Sequence, residues 1–347
     1  MYERLQRENH NVVVFEQNHV VGGNWVYDPR TESDPLSLDP NRETVHSSVY
    51  VSLRTNLPRA IMSFRDFPFL RSEHDPRTFP GHEEVFRFLN RFTDEFGIQQ
   101  LIRFGRRVVR VERENEGWSV ESLVRSSGSV NREVFEAVVV CSGHYSTPRI
   151  AEIEGIEKWK GFQMHSHNYR VPEPFRNQIV LLVGYGPSAY DITQDILPVA
   201  KEVHIAVKYN RYRVKFKNVR YHDMIRCVNE DGLIAFQDGS YIFADSIIHC
   251  TGVLSGKILL PTEVEMMDSI QDIYRQMEKN GLPQSCTLSL RPLQVDYKHW
   301  LVAQNDLPPL EEWRENLLAE CIKKLIELPD KYRDQWDDAY RNTIIQT

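Results

Sequence analysis

The sequence predicts an α/β chain of two dinucleotide-binding, Rossmann-like domains, the first incomplete, with a helical C-terminal segment. Three observations support this. Residues 179–206 give an apolar strand, a glycine turn, a helix and a second strand, in βαβ order. Residues 12–16 read as the back half of a similar unit, a valine-rich strand ending in an acid. From Glu263 onward, apolar residues recur at helical spacing.

In chain order, Tyr2–Asn9 is polar with good helix formers, and Val12–Phe15 is a buried strand closed by Glu16. Such an acid bonds the ribose hydroxyls of a dinucleotide, roughly 20 residues after a glycine-rich turn. Only fifteen residues precede Glu16 and none is glycine. Residues 28–46, with three prolines and three aspartates, read as a loop. Pro58, Pro68, Pro76 and Pro80 keep the next stretch irregular. Glu83–Phe96 sets Val85, Phe86, Leu89, Phe92 and Phe96 on one helical face. Val108–Val111, Trp118–Leu123 and Val134–Val140 are strands of a small sheet, separated by the turn Glu116-Gly117 and by Ser126–Ser129. The second unit runs through strand Ile179–Val183, the glycine turn, helix Tyr190–Ala200 and strand Val203–Val207. Strand Tyr241–His249 leads into Cys250-Thr251-Gly252. Helices follow, carried by Val264, Met267, Ile270, Ile273, Tyr274 and Met277, and by Trp313, Leu317, Leu318, Cys321, Leu325 and Ile326. These stripes read as core or docking surface.

The bulk numbers bound the function. With 347 residues the chain makes one large domain or two ordinary ones, and 26% charged with 41% apolar residues suits a soluble globular protein. A net charge of -7 argues against a nucleic-acid surface. No apolar run approaches the roughly 20 residues of a membrane helix. The N-terminus has no apolar h-region, so no signal peptide is expected. Five scattered cysteines form no CxxC pair, which points to a reducing, cytoplasmic setting without zinc or disulfides.

The strongest chemical signal is Gly184-Tyr185-Gly186-Pro187-Ser188-Ala189. The first glycine makes the turn, the second lets backbone N–H groups approach a pyrophosphate, and Ala189 permits close helix–strand packing. The helix N-terminus adds partial positive charge. After the second strand come Lys208, Arg211 and Arg213 with no acid, a pattern that favours the 2′-phosphate of NADP over NAD. Gly22-Gly23-Asn24-Trp25 follows Glu16 closely and would let backbone approach a bulky ligand. His165 and His167 have no third metal ligand at a suitable spacing. Ser142-Gly143-His144 reads as a turn beside a cofactor rather than a nucleophile.

Together these residues resemble the flavin-containing monooxygenases, and most closely the plant branch that S-oxygenates methylthioalkyl glucosinolates. Phe15-Glu16 with Gly22-Gly23-Asn24-Trp25 resembles the segment beside the FAD ribose and flavin. Ser52–Pro58, with Thr55 and Asn56, followed by Asp66–Phe69, resembles the active-site loop, where the asparagine contacts flavin and retained NADP. Trp159–Tyr169 fits the identifying pattern FxGxxxHxxxY/F, ending in His165 and Tyr169 and with Trp at its first position. Gly184–Ala189 fits the NADPH site, and Cys250-Thr251-Gly252 resembles the interdomain linker.

The resemblance implies FAD and NADPH as cofactors, a small thioether and O2 as substrates, a sulfoxide product, and no nucleic-acid, membrane or protein partner. It implies a partial FAD-binding domain at 1–150, an NADPH-binding domain at 151–252 and a C-terminal helical part of the FAD domain at 253–347. Asn56 is the implied catalytic residue. Implied cofactor contacts are Glu16, Gly22, Gly23, Asn24, Trp25, Thr55, Asn56, His165, Tyr169, Gly184–Ala189, Lys208 and Arg211. Against the family pattern, the sequence lacks the first FAD strand and its glycine turn, and a stretch is missing after Gly252. The alternative is a catalytically inactive family member that retains at most NADP binding. A reductase of similar architecture fits less well, because it would not carry the His165–Tyr169 pattern.

Overall fold

The computed structural model describes residues 9–114, 117–143, 147–208, 216, 218–254, 311–328 and 331–336. The expected helix over 264–277, Arg211 and Arg213 lie outside the described residues.

Strand β1 (Val14–Phe15) is shorter than the apolar run that forms it. Two helices follow, α1 (Arg59–Met62) and α2 (His82–Glu95), before β2 (Ile102–Arg103), which pairs with β1 in parallel. Glu83 and Glu84 in the first turn of α2 complement its positive end. Its apolar face, Val85 and Phe88, packs on Phe69, with Trp25, Met62 and Phe67 alongside. An antiparallel sheet of β3 (Arg106–Glu114), β4 (Gly117–Val124) and β5 (Val130–Phe135) comes next.

The strand expected over Val134–Val140 stops at Phe135. Residues 137–140, Ala-Val-Val-Val, join no ladder, and Val139 and Val140 are 52% and 40% exposed. An apolar run of this type is stable inside a parallel sheet with neighbours on both edges. Among the described residues the parallel pairing of the first unit is limited to the two-residue strands β1 and β2.

After β6 (Thr147–Pro148) the second unit begins. It comprises β7 (Phe162–His165), β8 (Ile179–Val183), α3 (Pro187–Ile196), β9 (Glu202–Ala206) and β10 (Val219–His222). A small antiparallel sheet of β11 (Ile225–Val228), β12 (Ile234–Phe236) and β13 (Tyr241–Ile242) follows, then β14 (Ser246–His249). The main sheet is parallel throughout, in the order β10-β9-β8-β14-β7. The strand expected over Tyr241–His249 is thus two strands in two sheets. Asp245 makes the break, its carboxylate accepting the Ile179 N–H at 2.7 Å while its own N–H donates to Ile179 O.

Val180, Leu181 and Leu182 are fully buried; α3 lays Ala189, Ile192 and Ile196 over Val180 and Leu182, while Leu181 faces Trp159, Ile234 and Phe236 on the other side of the sheet. Each such aliphatic side chain contributes roughly 1.5–3 kcal/mol through burial. β15 (Val253–Leu254) pairs antiparallel with β6, so the two chain crossings between the units run side by side. Helix α4 (Glu312–Glu327) buries Leu317 and Cys321, and Cys321 joins Phe79 and Tyr190, one from each unit. Among the described residues no helix is long and apolar enough to cross a membrane.

Candidate functional site

The second unit builds its turn as the sequence requires. Gly184 sits at φ +98, and a Cβ there would lie 2.7 Å from the Cys250 carbonyl oxygen. Only glycine combines that backbone with that approach. Gly186 faces open space. Helix α3 starts at Pro187, which fits the first turn because its missing N–H has no partner there. No side chain caps this end, so the first helical N–H groups are offered outward, and Ser188 is exposed beside them. Ala189 is fully buried in the helix–strand contact. Tyr185 meets Tyr221 edge-on, with ring centroids 5.7 Å apart. Lys208 is exposed just past β9, and Val207 N–H donates to His222 O at 3.0 Å, holding that end of the strand. This cradle fits a dinucleotide phosphate.

The first unit is more open. Glu16 is half-buried and accepts the Asn18 N–H at 2.8 Å, so one of its oxygens braces the following loop. Gly22 has φ +134, where a Cβ would press on Phe86 and Val26 at 3.0 Å. Gly23 has φ +51 and faces open space. With Asn24 and Trp25 it forms a single helical turn, Asn24 exposed and Trp25 lodged against the Phe69–Phe88 cluster. These residues fit the approach of a planar ring. Among the described residues no glycine turn and helix precede β1.

The loop over residues 52–58 of the first unit is firmly held. Thr55 is buried, its N–H bonded to Pro80 O at 2.9 Å and its hydroxyl to Leu57 O at 2.8 Å. Asn56 is exposed, and its side-chain oxygen accepts a hydrogen bond from Arg333. Arg333 also donates to Asp191 on α3 at 2.7 Å. Asp191 and Arg333 line a cavity of about 170 Å³, together with Tyr50, Ser52, Arg54 and Asp195 among others. Burial pushes the Asp191 carboxyl above its ordinary value, and Arg333 opposes that shift. Sequence reasoning missed Asp191, Asp195 and Arg333. Two acids four residues apart on a largely apolar helix were a signal for the first two. Arg333 had no local signal.

The segment from His165 to Arg170 works as a brace. His165 is buried, accepts the His167 N–H at Nδ1 (3.0 Å) and donates from Nε2 to Gly252 O (2.9 Å). Burial drives its pKa down to about 4, so it is neutral. Tyr169 is fully enclosed, and its hydroxyl donates to Asp195 at 2.6 Å. Both side chains are occupied by protein atoms and neither offers a polar atom to a cofactor; the expected direct contact gives way to support of the linker and of α3. Arg170 clamps the same junction, donating to the carbonyls of Asp28, Ser47, His167 and Tyr169. Among the described residues no three His, Cys, Asp or Glu side chains gather as a metal site.

The family model "FMO-like: Flavin-binding monooxygenase-like" matches residues 5–221. "Flavin-containing monooxygenase FMO GS-OX5" of Arabidopsis thaliana is 41% identical over 407 residues, covering 97% of this chain and 88% of that protein. "Flavin-containing monooxygenase FMO GS-OX2" of the same plant is 40% identical, covering 96% and 88%. Both alignments are longer than the 347 residues of the chain, so these relatives carry internal residues that it lacks. The structure of S-allyl-L-cysteine S-oxygenase from Allium sativum superposes with a TM-score of 0.86 at 37% identity, over 99% of this chain and 95% of that one. Tmm from a Pelagibacter strain, at 22% identity and a TM-score of 0.64 over 96% and 86%, shares the fold.

Proposed function

The chain belongs to the flavin-binding monooxygenase-like family, whose members depend on FAD and NADPH, and on that premise we propose that it oxygenates the sulfur of a small thioether. In the balanced reaction, thioether, O2, NADPH and a proton give sulfoxide, water and NADP+. The reading rests on the likeness of nearly the whole chain to S-oxygenases. Methylthioalkyl glucosinolates, converted to methylsulfinylalkyl glucosinolates, are the substrates we infer.

Residues 151–252 hold NADPH in this reading, with 1–150 and 253–347 serving FAD. The N–H groups at the start of α3 receive the pyrophosphate, with Gly184 and Gly186 keeping side chains out of its way. Tyr185, Pro187, Ser188 and Ala189 complete the turn. Lys208 and Arg211 meet the 2′-phosphate. Glu16 serves the FAD ribose, and Gly22, Gly23, Asn24 and Trp25 admit the flavin ring. FAD, when bound, supplies the oxygen-activating redox chemistry. Thr55 fixes the loop that carries Asn56, and the Asn56 carboxamide donates hydrogen bonds at the reacting face and helps exclude water. His165 and Tyr169 act from behind, through Gly252 and Asp195.

The test is incubation with a methylthioalkyl glucosinolate or S-allyl-L-cysteine, NADPH, saturating FAD and isotopically labelled O2. Labelled sulfoxide in proportion to NADPH consumed supports the proposal. NADPH left unoxidised and no sulfoxide would overturn it. A second reading, a non-catalytic NADP-binding family member, draws on the exposed Val139 and Val140 and the two-residue strands of the first unit. NADP+ binding without any sulfoxide would favour it.

A further inference from the structure

The backbone around Asn56 is fixed by the bonds of Thr55 and by α4, from which Cys321 Sγ donates to Asn56 O at 3.6 Å. The side chain is a different matter. A carboxamide has one acceptor end and one donor end, and a half-turn exchanges them. At the surface, water satisfies either orientation, so the loop alone does not select which end is left free for a ligand.

Arg333 removes that ambiguity. A guanidinium only donates, so its contact with Asn56 must fall on the side-chain oxygen, as it does. The carboxamide nitrogen is then turned the other way, and among the described residues no partner takes its protons. Arg333 is itself held at other points: it donates to Asp191 at 2.7 Å, and its Nε donates to the Tyr332 hydroxyl at 3.0 Å. It is 11% exposed and Asp191 is 7% exposed, so this ion pair is shielded from water. Asp191 lies one turn into α3, the helix that opens with the Gly184–Ala189 turn. Arg333 lies 277 residues from Asn56 in sequence.

We propose that Arg333 is a positioning residue, which uses Asp191 as its anchor to keep the Asn56 carboxamide oxygen occupied and its N–H donors free for a ligand. This rests on the reading of Asn56 given above. Through Asp191 the guanidinium ties that orientation to the NADP helix. Lysine is a poorer substitute because Arg333 Nη2 serves both Asn56 and Asp191 while its Nε is held by the Tyr332 hydroxyl, and a lone ammonium has no second nitrogen to be anchored in that way.

Two measurements on the full chain test this. The first, with FAD, NADPH and a thioether supplied, is the fraction of consumed NADPH that ends as H2O2 rather than sulfoxide. Asn56→Ala is expected to raise that fraction several-fold. Arg333→Met should raise it as much, the double variant no further, and Arg333→Lys less. Asn56→Asp strengthens the contact with Arg333 yet removes the donors, so it should behave like Asn56→Ala. The second measurement needs no flavin: the side-chain amide NMR signals of Asn56, identified by their loss in Asn56→Asp. Arg333→Met should shift and broaden them, and Arg333→Lys should shift them less.

If Asn56→Ala raises peroxide and Arg333→Met does not, the inference is wrong and the reading of Asn56 stands. If Asn56→Ala leaves peroxide unchanged, the reading of Asn56 fails and the NMR signals alone decide whether Arg333 orients it. Signals unmoved in Arg333→Met overturn the inference in either case.

Discussion

The segments Ile179-Val-Leu-Leu-Val183 and Ala137-Val-Val-Val140 are near-equivalent as sequence and opposite as structure. The first is the central strand of a five-stranded parallel sheet, with Val180, Leu181 and Leu182 wholly buried. The second joins no sheet and leaves Val139 and Val140 at the surface. β-propensity is equal or better in the valine run, so propensity does not make the difference. Neighbours do: β8 has β9 and β14 on its edges and α3 across its face, whereas among the described residues 137–140 has neither. The two units therefore carry unequal shares of the buried core.

Acid should separate them most strongly. His165 and His249 are buried in the main sheet, and burial drives each from 6.5 to about 4. With folded pKa values below those of the unfolded chain, the unfolded state binds more protons between those limits. Stability is fully present above pH 6.5 and declines as pH falls toward 4, by roughly 6 kcal/mol for the pair. Urea titrations at neutral and mildly acid pH, with hydrogen exchange at the β8 amides, check this; equal midpoints would refute it.

Core truncation comes next. Leu181→Ala should cost about 3 kcal/mol in urea unfolding, while Val139→Ala should stay within about 0.5 kcal/mol. Similar losses at the two sites would mean that the valine run is paired in solution. At the glycine turns, Gly184→Ala forces a Cβ to 2.7 Å from a carbonyl oxygen at φ +98, whereas Gly23→Ala meets open space at φ +51. The first should destabilise by about 2–3 kcal/mol, with a large loss of NADP+ affinity in calorimetry, and the second by about 1 kcal/mol. The smallest effect expected is at Lys208, where Lys208→Ala should weaken NADP+ binding about tenfold, or about 1.4 kcal/mol, and leave NAD+ binding unchanged.

The comparison also explains what was legible in the sequence. The second βαβ unit could be read because strand, turn, helix and strand are contiguous and their requirements local, down to the glycine at Gly184. α2 and α4 could be read from apolar spacing. The strand β7 could not, because the alternation in Phe162–His165 spans only four residues and they become a strand only against β14. Residues 137–140 were misjudged for the same reason in reverse. Asn56, Thr55 and the glycines could be named as single positions. What holds Asn56 could not, since Asp191 and Arg333 meet it only through the packing of α3 and the C-terminal segment. His165 and Tyr169 were found but their surroundings were not; burial makes them braces.

The most direct test of what this inequality means for cofactor binding is to saturate the purified 347-residue chain with FAD and NADP+, remove the excess by desalting, and measure each that remains. The account predicts that calorimetry detects a specific NADP+ site while flavin absorbance is lost on desalting and returns only with added FAD. One flavin per chain surviving desalting would contradict it, and would mean that the first unit holds FAD as firmly as the second holds NADP+.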